Sequence, residues 1–94
     1  MSIRVAIVED DRVVRENLGV LINAAPGVNC IASCASAEEA LKQLPGLYPD
    51  VVLMDIHLPG RSGIECVARL KPMLSKTQII MLTVEEDSER VFES

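Results

Sequence analysis

The stretch VVLMDIHLPGRSG, residues 51–63, runs four apolar residues into an acid and then into a Pro-Gly turn. An uninterrupted run of Val, Leu and Met is what a strand needs when both faces of its sheet are covered. Such a strand delivers Asp55 to its own end, immediately before the chain turns. The question is what meets the carboxylate there.

Outward from this segment the pattern repeats. IRVAIV (3–8) is a second continuous apolar strand, and it runs into Glu9-Asp10-Asp11. Val14, Leu18, Leu21, Ile22 and Ala25 then follow a helical period that Pro26-Gly27 stops. VNCIASC (28–34) alternates, with Val28, Cys30, Ala32 and Cys34 on one face and Asn29 and Ser33 on the other, which suits a strand near a sheet edge. Ser36-Ala-Glu-Glu39 is a capping box for a helix carrying Ala37, Ala40, Leu41 and Leu44, broken at Pro45-Gly46. DVVLMD (50–55) is the third strand. A helix with Ile64, Val67 and Ala68 inward follows the Pro-Gly loop and ends near Pro72. TQIIMLT (77–83) reads as a fourth strand, and EEDSERVFES (85–94) opens a fourth helix with acids in its first turn, where the helix dipole favours them. Strands alternating with helices predict one α/β domain built on a parallel sheet with right-handed crossovers.

Composition narrows the function. With 94 residues there is room for one core, and 2% aromatic content leaves no stacking platform for single-stranded nucleic acid. A net charge of −5 offers no attraction to phosphate backbones, so direct nucleic-acid binding by this segment is not expected. No apolar run approaches the roughly 20 residues of a membrane helix, and the N-terminus lacks a secretory layout, which predicts a cytoplasmic protein. The 3 cysteines form no CxxC pair, and Cys30 and Cys34, four extended residues apart, are about 13 Å from each other, beyond disulfide reach. The single histidine, His57, has no partner at zinc-ligand spacing.

In a parallel α/β sheet, ligands collect outside the carboxyl ends of the strands. There the first strand ends in Glu9-Asp10-Asp11, the third in Asp55 and the fourth in Thr83. Neighbouring first and third strands would bring Asp10 and Asp55 within a few ångströms. Two carboxylates about 4 Å apart repel by about 4 kcal/mol at an effective dielectric of about 20, so one takes up a proton or a cation sits between them. An all-oxygen donor set suits Mg²⁺, with Asp10 and Asp55 as direct ligands, Glu9 acting through water and the carbonyl of His57 completing the protein ligands. Asp11 reads as the N-cap of the first helix. A carboxylate beside Mg²⁺ can accept a phosphoryl group, with Thr83 donating to a phosphoryl oxygen. Pro59 and Gly60 shape the turn, and Gly63 allows close backbone approach at the start of the next helix. Taken singly, each piece has an ordinary reading: a turn-forming Asp, a solvated helix start, a β-branched strand residue. Their conjunction at one sheet edge carries the weight.

The segments IRVAIVEDDRVVRENL, DVVLMDIHLPGRSGIE and IIMLT resemble the receiver domain of two-component response regulators over essentially the whole chain, residues 1–94. The resemblance implies a flavodoxin-like (CheY-like) sheet, here in the order 2-1-3-4. It implies a phosphoacceptor switch in which a sensor histidine kinase or phosphotransfer protein donates to Asp55 with Mg²⁺. Glu9 and Asp10 match the family's acidic metal-binding pair, and Thr83 matches its switch hydroxyl. Such a domain regulates an output, here transcription through a DNA-binding domain of a longer chain, and turns over no separate substrate, so it is not an enzyme in that sense. Family members continue through a fifth strand ending in a lysine and a fifth helix. Residues 1–94 carry neither, Lys71 and Lys76 lie in the wrong segment to substitute, and Val84 is larger than the Ala or Gly often found after the switch residue. The resemblance therefore implies a domain incomplete at its C-terminus, with an open IIML edge that favours a homodimer or swapped oligomer. The alternative is an interaction or dimerisation module that works without phosphorylation. A phosphatase of the haloacid dehalogenase type would need a second Asp at the position of His57.

Overall fold

The computed structural model describes residues 2–58 and 63–82. Within them the chain runs β1 (Ile3–Val8), α1 (Arg12–Ala24), β2 (Val28–Cys34), α2 (Ala37–Leu47), β3 (Val51–Asp55), α3 (Gly63–Leu70) and β4 (Gln78–Leu82). The four strands form one parallel sheet, as the alternation of elements predicts, in the order β2-β1-β3-β4 that the resemblance implies. Pro59, Gly60, Thr83, Val84 and the expected fourth helix lie outside the described residues.

The sheet separates two faces. Ala6, Val8, Val52 and Met54 point to one, where Ala37, Ala40 and Leu44 of α2, Cys66 and Leu70 of α3, and Leu58 and Leu74 close a buried aliphatic core. β1 is sealed from Val5 to Val8, which is why IRVAIV reads as a continuous run rather than an alternation. On the other face α1 crosses β1 and β2. Its inward stripe is half-buried Val14, Leu18 and Ile22, while Leu21, expected inward, is 67% exposed. Leu21 lies next to Ile22 in sequence but about 100° round the helix from it. Asp11 caps α1 by accepting from the Val14 N–H at 3.1 Å, and Gly27, at φ 75, turns the chain into β2.

Three local expectations are corrected. The even spacing of Val28, Cys30, Ala32 and Cys34 does not put them on one face, because the pairing slips between Val5 and Ala6. Cys30 pairs with Val5, but Ala32 pairs with Ala6, so Ile31 is an extra residue. The slip turns Ala32 and Cys34 into the α2–α3 core and leaves Val28 and Cys30 on the α1 side. Second, α2 does not break at Pro45-Gly46. It continues through Pro45 to Leu47, because near the C-terminus the missing proline N–H removes only one hydrogen bond; the Tyr48 N–H then closes the end on the Leu44 carbonyl at 3.1 Å. Third, α3 is rotated from its expected phase. Gly63, Cys66 and Leu70 are buried and Val67 is half-buried, whereas Ile64 is 65% exposed and Ala68 is exposed.

Gly63 sets that phase. Its N–H donates to the Ile56 carbonyl at 3.0 Å, and a Cβ at this position would overlap the backbone carbonyl oxygen of Asp55 and lie 3.0 Å from the Ile56 Cα. The helix start therefore rests directly on the strand end. Gly63→Ala is expected to destabilise the chain by about 3 kcal/mol, since backbone rather than a side-chain tip must move. Ile64→Ala, one position on and exposed, should stay within about 0.5 kcal/mol. Urea unfolding of both variants checks the difference.

Candidate functional site

The site is assembled by register. The last described pair of β1 with β3 is Val8 with Met54, so the next residue of each strand, Glu9 and Asp55, stands at the same height at the carboxyl edge of the sheet. Each is only 1% exposed. Asp10, half-buried, follows on the turn into α1. One carboxylate oxygen from each of Glu9, Asp10 and Asp55 lies within 4.8 Å of the other two. The three acids singled out in the sequence therefore converge.

The remaining polar bonds hold these groups in place. The Glu9 N–H donates to the Cys34 carbonyl at 3.0 Å, tying it to β2. Glu9 Oε2 accepts from the Asp11 N–H at 2.9 Å, and Asp55 Oδ1 accepts from the His57 N–H at 3.0 Å. Asp55 is thus a turn-forming residue and a member of the acidic cluster at once, with one oxygen engaged in the turn. Arg15, which the sequence reading passed over, reaches back from α1 to donate from Nη1 to the Glu9 carbonyl at 2.8 Å and the Asp10 carbonyl at 3.3 Å. A cation one turn past an acidic N-cap, on the helix side that faces the loop, was the available signal for it. His57 itself is exposed, and its backbone is held beside Asp55. Thr83 is outside the described residues; it directly follows Leu82, which pairs with Asp55, in sequence.

Two buried oxygens, Glu9 Oε1 and Asp10 Oδ1, have no N–H or O–H partner. With carboxylate oxygens of the other acids within 4.8 Å, a proton or a cation would satisfy them and offset the charge. Burial pushes the Glu9 carboxyl up to about 8; the Asp11 N–H pulls against this, and Asp10 and Asp55 add to the rise. The donor set is hard oxygen throughout, drawn from two strand ends and one turn, and it fits a small divalent cation such as Mg²⁺. Glu9, Asp10 and Asp55 are the residues that could hold it.

The rise at Glu9 has a defined sign. Its folded value lies above 4.5, so the folded chain holds the proton more tightly than the unfolded chain. The resulting stabilisation is complete below that value and is lost as pH climbs through about 8. In a chelating buffer, unfolding free energy should fall with pH across this window, with a contribution from Glu9 of at most about 1.4 kcal/mol per pH unit. Glu9→Gln should flatten the slope, as denaturant melts across the pH series would show.

Comparison with known proteins identifies the family of the domain. Residues 5–94 match the response regulator receiver domain. The chain is 34% identical over 91 residues to the transcriptional regulatory protein BtsR of Salmonella typhi, covering 97% of this chain and 38% of that one. It is 41% identical over 81 residues to a protein-glutamate methylesterase/protein-glutamine glutaminase of Nitrosospira multiformis, covering 86% of this chain and 20% of that one. It therefore spans about two-fifths or less of the length of these curated relatives. Among solved structures, a two-component response regulator of the LuxR family from Aurantimonas sp. SI85-9A1 superposes with a TM-score of 0.84 at 31% identity, covering 99% of this chain and 66% of that one. A domain match across nearly every residue, together with relatives above 30% identity, places the chain in the response regulator receiver domain family.

Proposed function

We propose that this chain is the phosphoacceptor switch of a two-component phosphorelay, with Asp55 as acceptor. The observation that carries the reading is the meeting of Glu9, Asp10 and Asp55 at the carboxyl edge of the sheet, with two buried carboxylate oxygens left for a cation. In this reading Asp10 and Asp55 ligate Mg²⁺ directly, Glu9 acts through water and the His57 carbonyl completes the protein ligands. Receiver domains generally bind Mg²⁺ at such an acidic pocket. The bound ion would offset negative charge on the transferring oxygens and orient the group.

The chain's own part is positional. The His57 N–H fixes the rotamer of the Asp55 carboxylate. A carboxylate oxygen of Asp55 attacks phosphorus, the N–P bond to a kinase histidine breaks, and the nitrogen keeps the bonding pair. The Thr83 hydroxyl donates to a phosphoryl oxygen. The new charge then shifts an existing equilibrium at the surface near β4.

The donor is a sensor histidine kinase or phosphotransfer protein. The output, in a longer protein of cytoplasmic location, is transcription, as in BtsR. The methylesterase relative carries a similar domain in a protein named for an enzymatic activity, so the switch is separable from what it controls. This segment has no separate substrate of its own.

Incubation with Mg²⁺ and acetyl phosphate should add the mass of one phosphoryl group, released by hydroxylamine as expected for an acyl phosphate. Asp55→Asn should abolish the adduct, and Asp10→Asn should slow its formation at least tenfold. Labelling that persists in Asp55→Asn would overturn the assignment. An unlabelled wild-type chain that nonetheless self-associates would favour an interaction module working without phosphorylation.

A further inference from the structure

Two of the three acids at the site are fixed by the sheet. Asp55 ends a strand paired on both sides and is held by the His57 N–H. Glu9 follows directly on the paired Val8 and donates its own N–H to β2. Asp10 has no such support. It lies beyond the last described rung of β1, on the turn into α1, and its Oδ1 is one of the two buried oxygens without a partner.

What fixes the Asp10 backbone is Arg15. One guanidinium nitrogen bridges the carbonyl oxygens on either side of the Asp10 Cα, those of Glu9 at 2.8 Å and Asp10 at 3.3 Å. The two peptide planes that set the direction of the Asp10 side chain are thereby tied to α1. Arg15 is half-buried, and no ion pair between it and an acid occurs among the described residues, where Arg12 and Glu16 form an exposed pair. Arg15 thus engages main chain rather than any of the three carboxylates in a salt bridge, so the acid oxygens stay available to a cation. Lysine would bring a single, strongly hydrated ammonium point to this place, without the planar guanidinium that sets where the bridging nitrogen sits.

We infer that Arg15 is a positioning residue for the cation site: by clamping the Glu9 and Asp10 carbonyls it holds the Asp10 carboxylate where it can share a divalent ion with Asp55. The inference rests on the cation reading of the acidic cluster. Groups that orient a ligand from behind typically govern metal affinity by about 10- to 100-fold.

Calorimetric titration of MgCl₂ into the wild-type chain, Arg15→Ala, Arg15→Lys and Arg12→Ala, at one pH and ionic strength, tests it. Mg²⁺ Kd should rise at least about tenfold in Arg15→Ala, rise also in Arg15→Lys, and stay at the wild-type value in Arg12→Ala. A second readout separates positioning from general loosening. With acetyl phosphate, the Mg²⁺ concentration giving half-maximal labelling should rise in Arg15→Ala, while the rate at saturating Mg²⁺ stays close to wild type. If Arg15→Ala does not fold, Arg15→Lys carries the same comparison. Wild-type Mg²⁺ affinity in a folded Arg15 variant overturns this inference and leaves the cation site standing. A wild-type chain that takes up no Mg²⁺ overturns both.

Discussion

The structure depends on one alignment, that of β1 with β3. Where Val8 faces Met54, the next residues are both acids, and both are almost completely shielded from water. Such a pair is unfavourable on its own, since carboxylates this close repel by several kilocalories per mole unless something positive lies between them. The aliphatic core holds the arrangement despite that cost. Val8, Val52 and Met54 are locked under α2 and α3, so the strand ends cannot slide to separate the charges. The hydrophobic interior fixes the register, and the register imposes the charge problem that a proton or a cation must resolve.

The opposite pole of the sheet anchors the same strands. The Asp50 N–H donates to the Arg4 carbonyl at 2.8 Å, the Arg4 N–H donates to Asp50 Oδ2 at 2.8 Å, and the Gln78 N–H extends the row to β4 through the Asp50 carbonyl at 2.9 Å. Thr77 donates to the Pro49 carbonyl at 2.6 Å, beside Tyr48, whose φ of 47 turns the chain from α2 into β3. β1, β3 and β4 are therefore held in step at their starts by polar bonds and along their lengths by apolar packing. Their ends are free to carry chemistry.

Much of this was legible from residue order. Continuous apolar strands alternating with capped helices specify a parallel sheet and put three acids at its carboxyl edge, while the strand order that makes Glu9, Asp10 and Asp55 meet came from the family resemblance. The Ser36 cap is also where expected, with Glu39 reaching back to the Ala35 N–H rather than to that of Ser36. What was not legible depends on single-residue offsets. The slip at Ile31 arises from pairing with another strand, and nothing in VNCIASC itself announces it. The phase of α3 is set by the contact of Gly63 with Asp55, a tertiary event that outweighs the local pattern of Ile64, Val67 and Ala68. Arg15 was passed over because its partners are carbonyls, which every residue has, rather than the acids beside them.

The bare approach of α3 to the end of β3 has a mechanical meaning. No side chain cushions the joint: helix backbone meets strand backbone at Gly63, with a hydrogen bond to Ile56 securing it. A joint of this kind has almost no slack. Whatever displaces the main chain beneath Asp55 must tilt or push the helix along with it, so the strand end and α3 behave as a single lever whose far arm lies in the α2–α3 layer.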